Sequence, residues 1–348
     1  MYGYIEKRIS KWDNNANKML NELLINEGIS LDGNLEYTMG LYDGEKLVAT
    51  GSYFKNSLRC LAVDSNYRGE GLLNLVVTHL VNKQAEIGNY HLFLYTKCDK
   101  TPFFTDLGFN EIATAPKLAA FMENRKNGFS DYINRLKIES EGANGTQAAI
   151  VMNCNPFTLG HQYLIENAAS ENDYLHIFVV SEDISLVPFH VRFNLIKQGT
   201  SHLKNVILHQ TESYMISSAT FPSYFIKDSD DVMLAQAMID IEIFKKIASS
   251  LNISKRYVGE EPLSKVTEIY NEVMINELKK SGINCIVIPR LEDNGSAISA
   301  STVRSLIKQG NIESIKPLVP KSTYDFFMSD SANEIIQKIQ SSDNVIHH

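Results

Sequence analysis

From Ala148 onward the chain alternates short apolar runs with longer amphipathic ones, and this alternation limits the fold more than any other feature. Ala148–Met152, Leu175–Val180, Val206–His209, Arg256–Gly259 and Cys285–Ile288 read as buried strands. Gly160–Ser170, Val191–Gln198, Asp231–Ser250, Lys265–Ser281 and Ser301–Gln309 read as the helices that follow them. Strands apolar on both faces and separated by helices form a parallel sheet covered on both sides. Ligands of such sheets bind beyond the carboxyl ends of the strands, where the strand order reverses. Chemistry is therefore expected just after Met152, Val180, Gly259 and Ile288.

The chain before this region reads as mixed strand and helix. Thr38–Tyr42 and Leu47–Phe54 form a predicted hairpin around Asp43-Gly44, a favoured turn pair. Leu58–Val63 and Tyr90–Tyr95 read as further strands, with an apolar helix from Leu72 between them. Pro102 opens a short helix that stops at Leu107-Gly108-Phe109. Between Glu123 and Gly145 the composition turns polar, with a short amphipathic helix on Ile133, Leu136 and Ile138 and a glycine-rich loop after it. At about 100–200 residues per domain, 348 residues suit two domains. The expected division is a domain at 1–125, a connector at 126–145 and a domain at 146–348.

Charge and cysteines exclude several classes. Lys and Arg number 33 against 41 Asp and Glu, a formal charge of −8, whereas a general nucleic-acid binder is basic. Cys60, Cys98, Cys154 and Cys285 lie far apart, with no CxxC pair, which suits reduced thiols. The N-terminus has no apolar signal region, and Leu72–Val81 is too short to span a bilayer. The expected setting is the cytoplasm, with no membrane or nucleic-acid partner.

The first strand end carries Asn153-Cys154-Asn155-Pro156-Phe157-Thr158-Leu159-Gly160-His161. A helix starting near Gly160 offers free N–H groups and a favourable dipole to an anion. Gly160 permits close backbone approach, and Thr158 and His161 can both point at one phosphate to stabilise charge there. The last strand end leads to Ile298-Ser299-Ala300-Ser301-Thr302-Val303-Arg304. Ser301 is the expected helix cap, and its neighbouring hydroxyls with Arg304 suit a pair of terminal phosphates.

Thr158-x-Gly160-His161 together with Ile298-Ser-x-Ser-Thr-x-Arg304 resembles the nucleotidylyltransferase superfamily, which holds a nucleoside triphosphate between two such motifs. The first motif position is Thr158 where many members have histidine. Further segments at 153–169, 187–200, 218–228, 231–248, 256–262 and 297–304 resemble the citrate lyase ligase family in order. Arg68-Gly69-Glu70-Gly71 before an apolar helix, and the later Leu107-Gly108-Phe109, resemble the acyl-CoA loop and the end of a GNAT acyltransferase fold. Asn66 departs from that loop's usual first residue. The fold class implied is α/β: an N-terminal GNAT-like α+β domain, then a Rossmann-like parallel nucleotidylyltransferase domain.

The resemblance implies an acid-thiol ligase using ATP and Mg²⁺. Acetate would become acetyl-adenylate with release of pyrophosphate. The thiol of the phosphoribosyl-dephospho-CoA group on the citrate lyase acyl carrier subunit would then take the acetyl group, releasing AMP. His161 and Thr158 are assigned to the α-phosphate, and Ser299, Ser301, Thr302 and Arg304 to the β- and γ-phosphates. Asn155, Pro156, Phe157, Gly160, Gly259 and Glu260 are counted with the nucleotide site. Arg192 is a candidate for the transferring phosphate or acetate. Arg68, Gly69 and Gly71 are the candidate seat of the carrier's arm. No residue is assigned as a metal ligand. Alternatives are an adenylyltransferase acting on a phosphate substrate such as phosphopantetheine or a mononucleotide, an acetyltransferase, and a nucleotide-binding regulatory module.

Overall fold

The computed structural model describes residues 3–182, 184–215, 221–260, 265–293, 295–343 and 345. Glu261, Pro262, His347 and His348 lie outside the described residues. The chain divides into two compact units. One comprises Met1–Asp131 with Thr220–Glu242, the other Tyr132–Ala219 with Ile243–His348.

The first unit holds β1 (Ile5–Arg8), α1 (Asn14–Asn26), β2 (Tyr37–Asp43), β3 (Lys46–Phe54), β4 (Ser57–Val63), α2 (Leu72–Glu86), β5 (Phe93–Thr96), α3 (Thr101–Asp106), β6 (Asn110–Ala115) and β7 (Ala119–Glu123). Its sheet runs β1-β2-β3-β4-β5-β7-β6. All neighbours are antiparallel except β4 and β5, which pair in parallel only at Ser57–Phe93 and Leu58–Leu94. Cys60 takes a φ of 50°, and the register of β4 against β3 shifts beside it. Such a bulge bends its strand, and beyond Leu58 the two parallel strands are no longer paired. On α1, Ala16, Leu20, Leu23 and Leu24 form the buried stripe of an amphipathic helix, and the Asp13 carboxylate accepts from the Ala16 N–H at 3.0 Å as its cap.

The second unit follows α4 (Gly128–Glu139). It holds β8 (Gln147–Met152), α5 (Leu159–Ser170), β9 (Tyr174–Val179), α6 (Phe189–Gly199), β10 (Val206–Gln210), the last turns of α7 (Ser229–Ser250, whose residues up to Glu242 group with the first unit), β11 (Ile253–Gly259), α8 (Lys265–Lys280) and β12 (Asn284–Ile288). A two-residue ribbon of β13 (Glu292–Asp293) and β14 (Ser296–Ala297) precedes α9 (Ala300–Lys308), α10 (Lys321–Phe327) and α11 (Asn333–Ser341). The sheet is wholly parallel, in the order β10-β9-β8-β11-β12. Strand order therefore reverses between β8 and β11. Ile150, Ile177, Phe178 and Val179 are buried in it, each contributing about 1.5–3 kcal/mol by leaving water. The α+β unit followed by a parallel α/β unit is the expected fold class. Among the described residues no helix is long and apolar enough to cross a membrane.

The unit boundaries differ from the expected division. The stretch read as a connector contributes α4, whose Tyr132, Ile133 and Leu136 are buried. The Tyr132 hydroxyl donates to the Gln210 carbonyl at 3.2 Å, and Arg135 pairs with Glu212, all within the second unit. Residues 220–242, expected in the second domain, group with the first. There the Ser30 N–H donates to the Tyr224 carbonyl at 2.8 Å, and Phe221 packs edge-on against Tyr95.

Candidate active site

The site starts at the carboxyl end of β8, beside the reversal of strand order. Asn155, Pro156 and Phe157 are buried beneath the turn and support it from within. Asn155 Oδ1 accepts from the Val187 N–H at 2.9 Å. Phe157 fills the space over Gly199, where an added Cβ would meet its ring at 2.4 Å.

A reciprocal cap opens α5. Thr158 Oγ1 accepts from the His161 N–H at 3.3 Å, and the Thr158 N–H donates to His161 Nδ1 at 3.1 Å. With Nδ1 as an acceptor, the ring proton is assigned to Nε2. Burial, reinforced by the positive charges of Arg290 and Arg304, pushes the His161 pKa down to about 4. At pH 7 the ring is neutral and offers one N–H donor. Thr158 is only 1% exposed and its hydroxyl serves the cap. It therefore holds His161 in place.

Gly160 has a second reason to be glycine. An added Cβ would sit 2.9 Å from the Ile298 carbonyl oxygen. The two motifs thus meet through backbone contact, which brings Ser299 next to the start of α5. Ser299, not Ser301, caps α9: its Oγ accepts from the Thr302 N–H at 3.1 Å. The Ser301 and Thr302 hydroxyls each lie 2.8 Å from Ser299 Oγ. Thr302 is exposed and the two serines are half-buried, so three hydroxyls cluster at a positive helix end.

Arg192 and Arg304, both expected at phosphates, are buried and donate to backbone carbonyls. Arg304 is 2% exposed; its Nε donates to the Val345 carbonyl at 2.6 Å and its Nη1 to the Asn155 carbonyl. Burial lowers its pKa to about 10, so it stays cationic at pH 7. Arg192 is fully buried. Its Nε donates to Val187 O at 3.0 Å, Nη1 to Asn153 O at 2.7 Å and Val180 O at 2.9 Å, and Nη2 to Glu182 O at 2.7 Å. It ties the ends of β8 and β9 to the loop after them. Backbone carbonyls at strand ends are buried acceptors that need donors, and a guanidinium fork supplies several at once.

Among the described residues no atom lies within 4 Å of an added Gly259 Cβ, and Glu260 is exposed. The Glu260 N–H donates to Ile288 O at 2.9 Å, and its carbonyl accepts from Arg290 Nε at 2.7 Å. Sequence reading passed over Arg290, Asn153 and Ser185. Asn153 Nδ2 reaches Ser185 Oγ at 3.1 Å. The signal for Arg290 was available, because it lies just beyond the end of β12.

The other candidate residues belong to the first unit. Gly69 and Gly71 take φ of 90° and 75°, and Gly71 opens α2 with no side-chain cap. Its first-turn N–H groups border a cavity of about 560 Å³ lined by Leu61, Val63, Tyr95, Phe104, Tyr224 and Phe225 between the parting ends of β4 and β5. Arg68, Lys97 and Lys100 ring the cavity. Arg68 is paired with Glu27 at 2.6 Å, and the Tyr4 hydroxyl holds Glu70.

Residues 147–327 match the family model of the citrate lyase ligase C-terminal domain. This chain belongs to the citrate lyase ligase family. A citrate pro-3S-lyase ligase of Klebsiella pneumoniae is 38% identical over 327 residues, covering 92% of this chain and 95% of that one. One from Escherichia coli strain K12 is 35% identical, covering 92% and 93%. Among solved structures, a putative acyl-CoA N-acyltransferase from Klebsiella pneumoniae is 16% identical, covers 35% of this chain and 97% of its own, and superposes with a TM-score of 0.30. The S18-alanine N-acetyltransferase of Escherichia coli covers 34% and 92%, at 16% identity and a TM-score of 0.30. Membership in the citrate lyase ligase family makes the chain an enzyme of the ligase class.

Proposed function

We propose that this ligase acetylates the thiol of the citrate lyase acyl carrier subunit with ATP, through acetyl-adenylate. A carboxylate oxygen of acetate attacks the α-phosphorus, the bond to the β-phosphate oxygen breaks, and pyrophosphate leaves. The carrier's thiolate then attacks the acetyl carbon of the mixed anhydride; AMP leaves and a thioester remains. Acetate is already ionised at pH 7, so the first step needs no base. Positioning and neutralisation of the triphosphate carry the catalysis.

The reading rests on one observation above all: the neutral His161 donor and the hydroxyl-bearing start of α9 are joined through Gly160 and Ile298. His161 Nε2–H meets the α-phosphate, where charge builds in the transition state. Ser299, Ser301 and Thr302, with the N–H groups of α9, receive the outer phosphates. Thr158, Arg192 and Arg304 act as positioning residues. Gly259 leaves space for the base or ribose, and Glu260 lies at its rim. Mg²⁺ enters as part of the nucleotide substrate. Its ligands in this reading are the phosphates of that substrate.

The first unit then receives the carrier's arm. Its cavity has the size and apolar lining of a small-molecule site, and the open start of α2 suits the arm's pyrophosphate. The decisive experiment incubates the protein with ATP, Mg²⁺ and acetate, with and without thiol-form citrate lyase, and follows AMP and acetylated carrier. AMP should form with acetylated carrier in stoichiometric amounts. Absence of AMP under every condition would overturn the reading.

A further inference from the structure

We infer that Glu27 is a positioning residue for the carrier's arm: its carboxylate fixes the loop between β4 and α2 and holds Arg68 at the mouth of the first unit's cavity. This rests on the arm-docking reading above and adds a residue to that site.

The loop needs outside support. It contains a single 3-10 turn, Ser65–Tyr67, and then Gly69 and Gly71 with positive φ. Glycine adopts such angles without steric cost but does not enforce them. The Asp64 carboxylate steadies the start of the loop, accepting from the Asn66 N–H at 2.9 Å and pairing with Lys46 at 2.8 Å. The Tyr67 hydroxyl donates to Asp43 at 2.9 Å, and the Tyr4 hydroxyl holds Glu70. Glu27 adds the tie that reaches Arg68. Its Oε1 accepts from the Ser65 N–H at 2.8 Å, and its Oε2 accepts from Arg68 Nη2 at 2.6 Å. One carboxylate thus spans residues 65 to 68, and it lines the cavity together with Arg68, Gly69 and Gly71.

The place of Glu27 in the fold opposes a carboxylate. It follows α1 as the C-cap, and its N–H bonds back to the Leu23 and Ile25 carbonyls. The carboxyl end of a helix carries partial negative charge and disfavours an anion. The side chain is only 11% exposed, so it has also lost most of its water. The Ser65 N–H and the Arg68 guanidinium offset both penalties. Arg68, in contrast, is 68% exposed. A long exposed side chain loses rotamer freedom when it meets an anion, and a tether to a buried carboxylate removes most of that freedom before the anion arrives. A guanidinium carries five N–H donors, so the bond to Glu27 is compatible with a second contact to the arm's pyrophosphate.

The same contacts join α1 to the loop, so the test must separate positioning from a merely structural role. Binding of dephospho-CoA is measured by calorimetry for the unaltered protein, Glu27→Ala, Glu27→Asp, Arg68→Ala and the double variant, with melting temperatures. KM and kcat for thiol-form citrate lyase are measured in the ATP- and acetate-dependent reaction. Glu27→Ala should weaken dephospho-CoA by about tenfold, as for one charge-assisted bond. It should raise the KM for the carrier by a similar factor and change kcat by less than about twofold. Glu27→Asp, which keeps the charge on a shorter stem, should recover part of the affinity. With Arg68→Ala already present, Glu27→Ala should cost less than about threefold more, because its partner is gone. Tighter binding, unchanged binding, an equal loss in the Arg68→Ala background, or a fall in kcat and melting temperature without rescue by Glu27→Asp would overturn the assignment. Failure of the unaltered protein to bind dephospho-CoA would overturn the arm-docking reading itself, a result distinct from any change confined to the variants.

Discussion

His161 shows how local contacts fix both the tautomer and the charge of one side chain. Its backbone cap fixes the tautomer, and burial with two nearby guanidiniums keeps the ring neutral. Site-resolved NMR should find its titration midpoint near pH 4, far below the ordinary value of about 6.5. A midpoint above 6 would contradict the capped, enclosed geometry. His161→Asn should lower acetate-dependent exchange by about 10²–10³, the usual cost of one transition-state donor. His176 follows the same rule: burial, with His209 beside it, lowers its pKa to about 3. Both groups bind protons less readily when folded, so the unfolded chain takes them up first. Their contribution to stability is complete above about pH 6.5 and falls as the pH drops towards 4 and then 3. Urea midpoints measured from pH 7 to 4 should decline, and His176→Gln should flatten part of that slope. At this scale the residue types were legible in sequence, but their direction was not. Arg304 was read as a phosphate ligand and Arg192 as a candidate for the transferring phosphate or acetate; that each also donates to buried backbone carbonyls was hidden, because nothing in a linear motif shows which acceptors a fold leaves unsatisfied.

At the scale of elements, the β/α alternation was legible, and the parallel strands it implied are those of the second unit's sheet. Periodicity and apolar runs are local properties, so they survive without knowledge of the fold. What escaped was contact between distant elements. Ser301 was the expected cap of α9, but the cap is Ser299, which the β13–β14 ribbon delivers to the helix start. A two-residue strand leaves no sequence signal. Gly160 was read as room for a phosphate, and its tighter constraint is the Ile298 carbonyl. Gly160→Ala should therefore destabilise the second unit by about 1–3 kcal/mol through forced displacement of that carbonyl. It should also weaken ATP binding, because the α9 start moves with Ile298. Ser299→Ala should cost about 1 kcal/mol for the lost cap and raise the KM for ATP. Ser305→Ala, one turn further along α9, should leave that KM unchanged. Equal effects of the two would remove Ser299 from the site.

Over the whole molecule, composition located a change near residues 126–145 but could not assign residues 220–242. That segment lies far along the sequence, within the second half, yet belongs to the first unit. The pairing of Ser30 with Tyr224 spans 194 positions, beyond the reach of any local pattern. A cut between the apparent domains should therefore fail. A fragment of residues 132–348 keeps Phe221, Tyr224 and Phe225 but lacks the partners that bury them to 7%, 7% and 6% exposure. Exposing three such side chains forfeits roughly 5 kcal/mol or more of burial. Whole domains are stable by only about 5–15 kcal/mol, so a loss of this size decides whether the fragment folds cleanly. We expect the fragment to bind a hydrophobic dye and to aggregate on concentration. Changing Phe221, Tyr224 and Phe225 to serine within the fragment should restore a monomer with a cooperative melt, since the exposed surface is then polar. Were the unaltered fragment monomeric, dye-silent and cooperative, residues 220–242 would not depend on the first unit. The same segment supplies Tyr224 and Phe225 to the wall of the first unit's cavity. In the intact chain, Tyr224→Ala should accordingly raise the KM for the carrier while acetate-dependent pyrophosphate exchange, a property of the second unit, holds its rate. Equal loss in both assays would mean that the cavity serves adenylation as well.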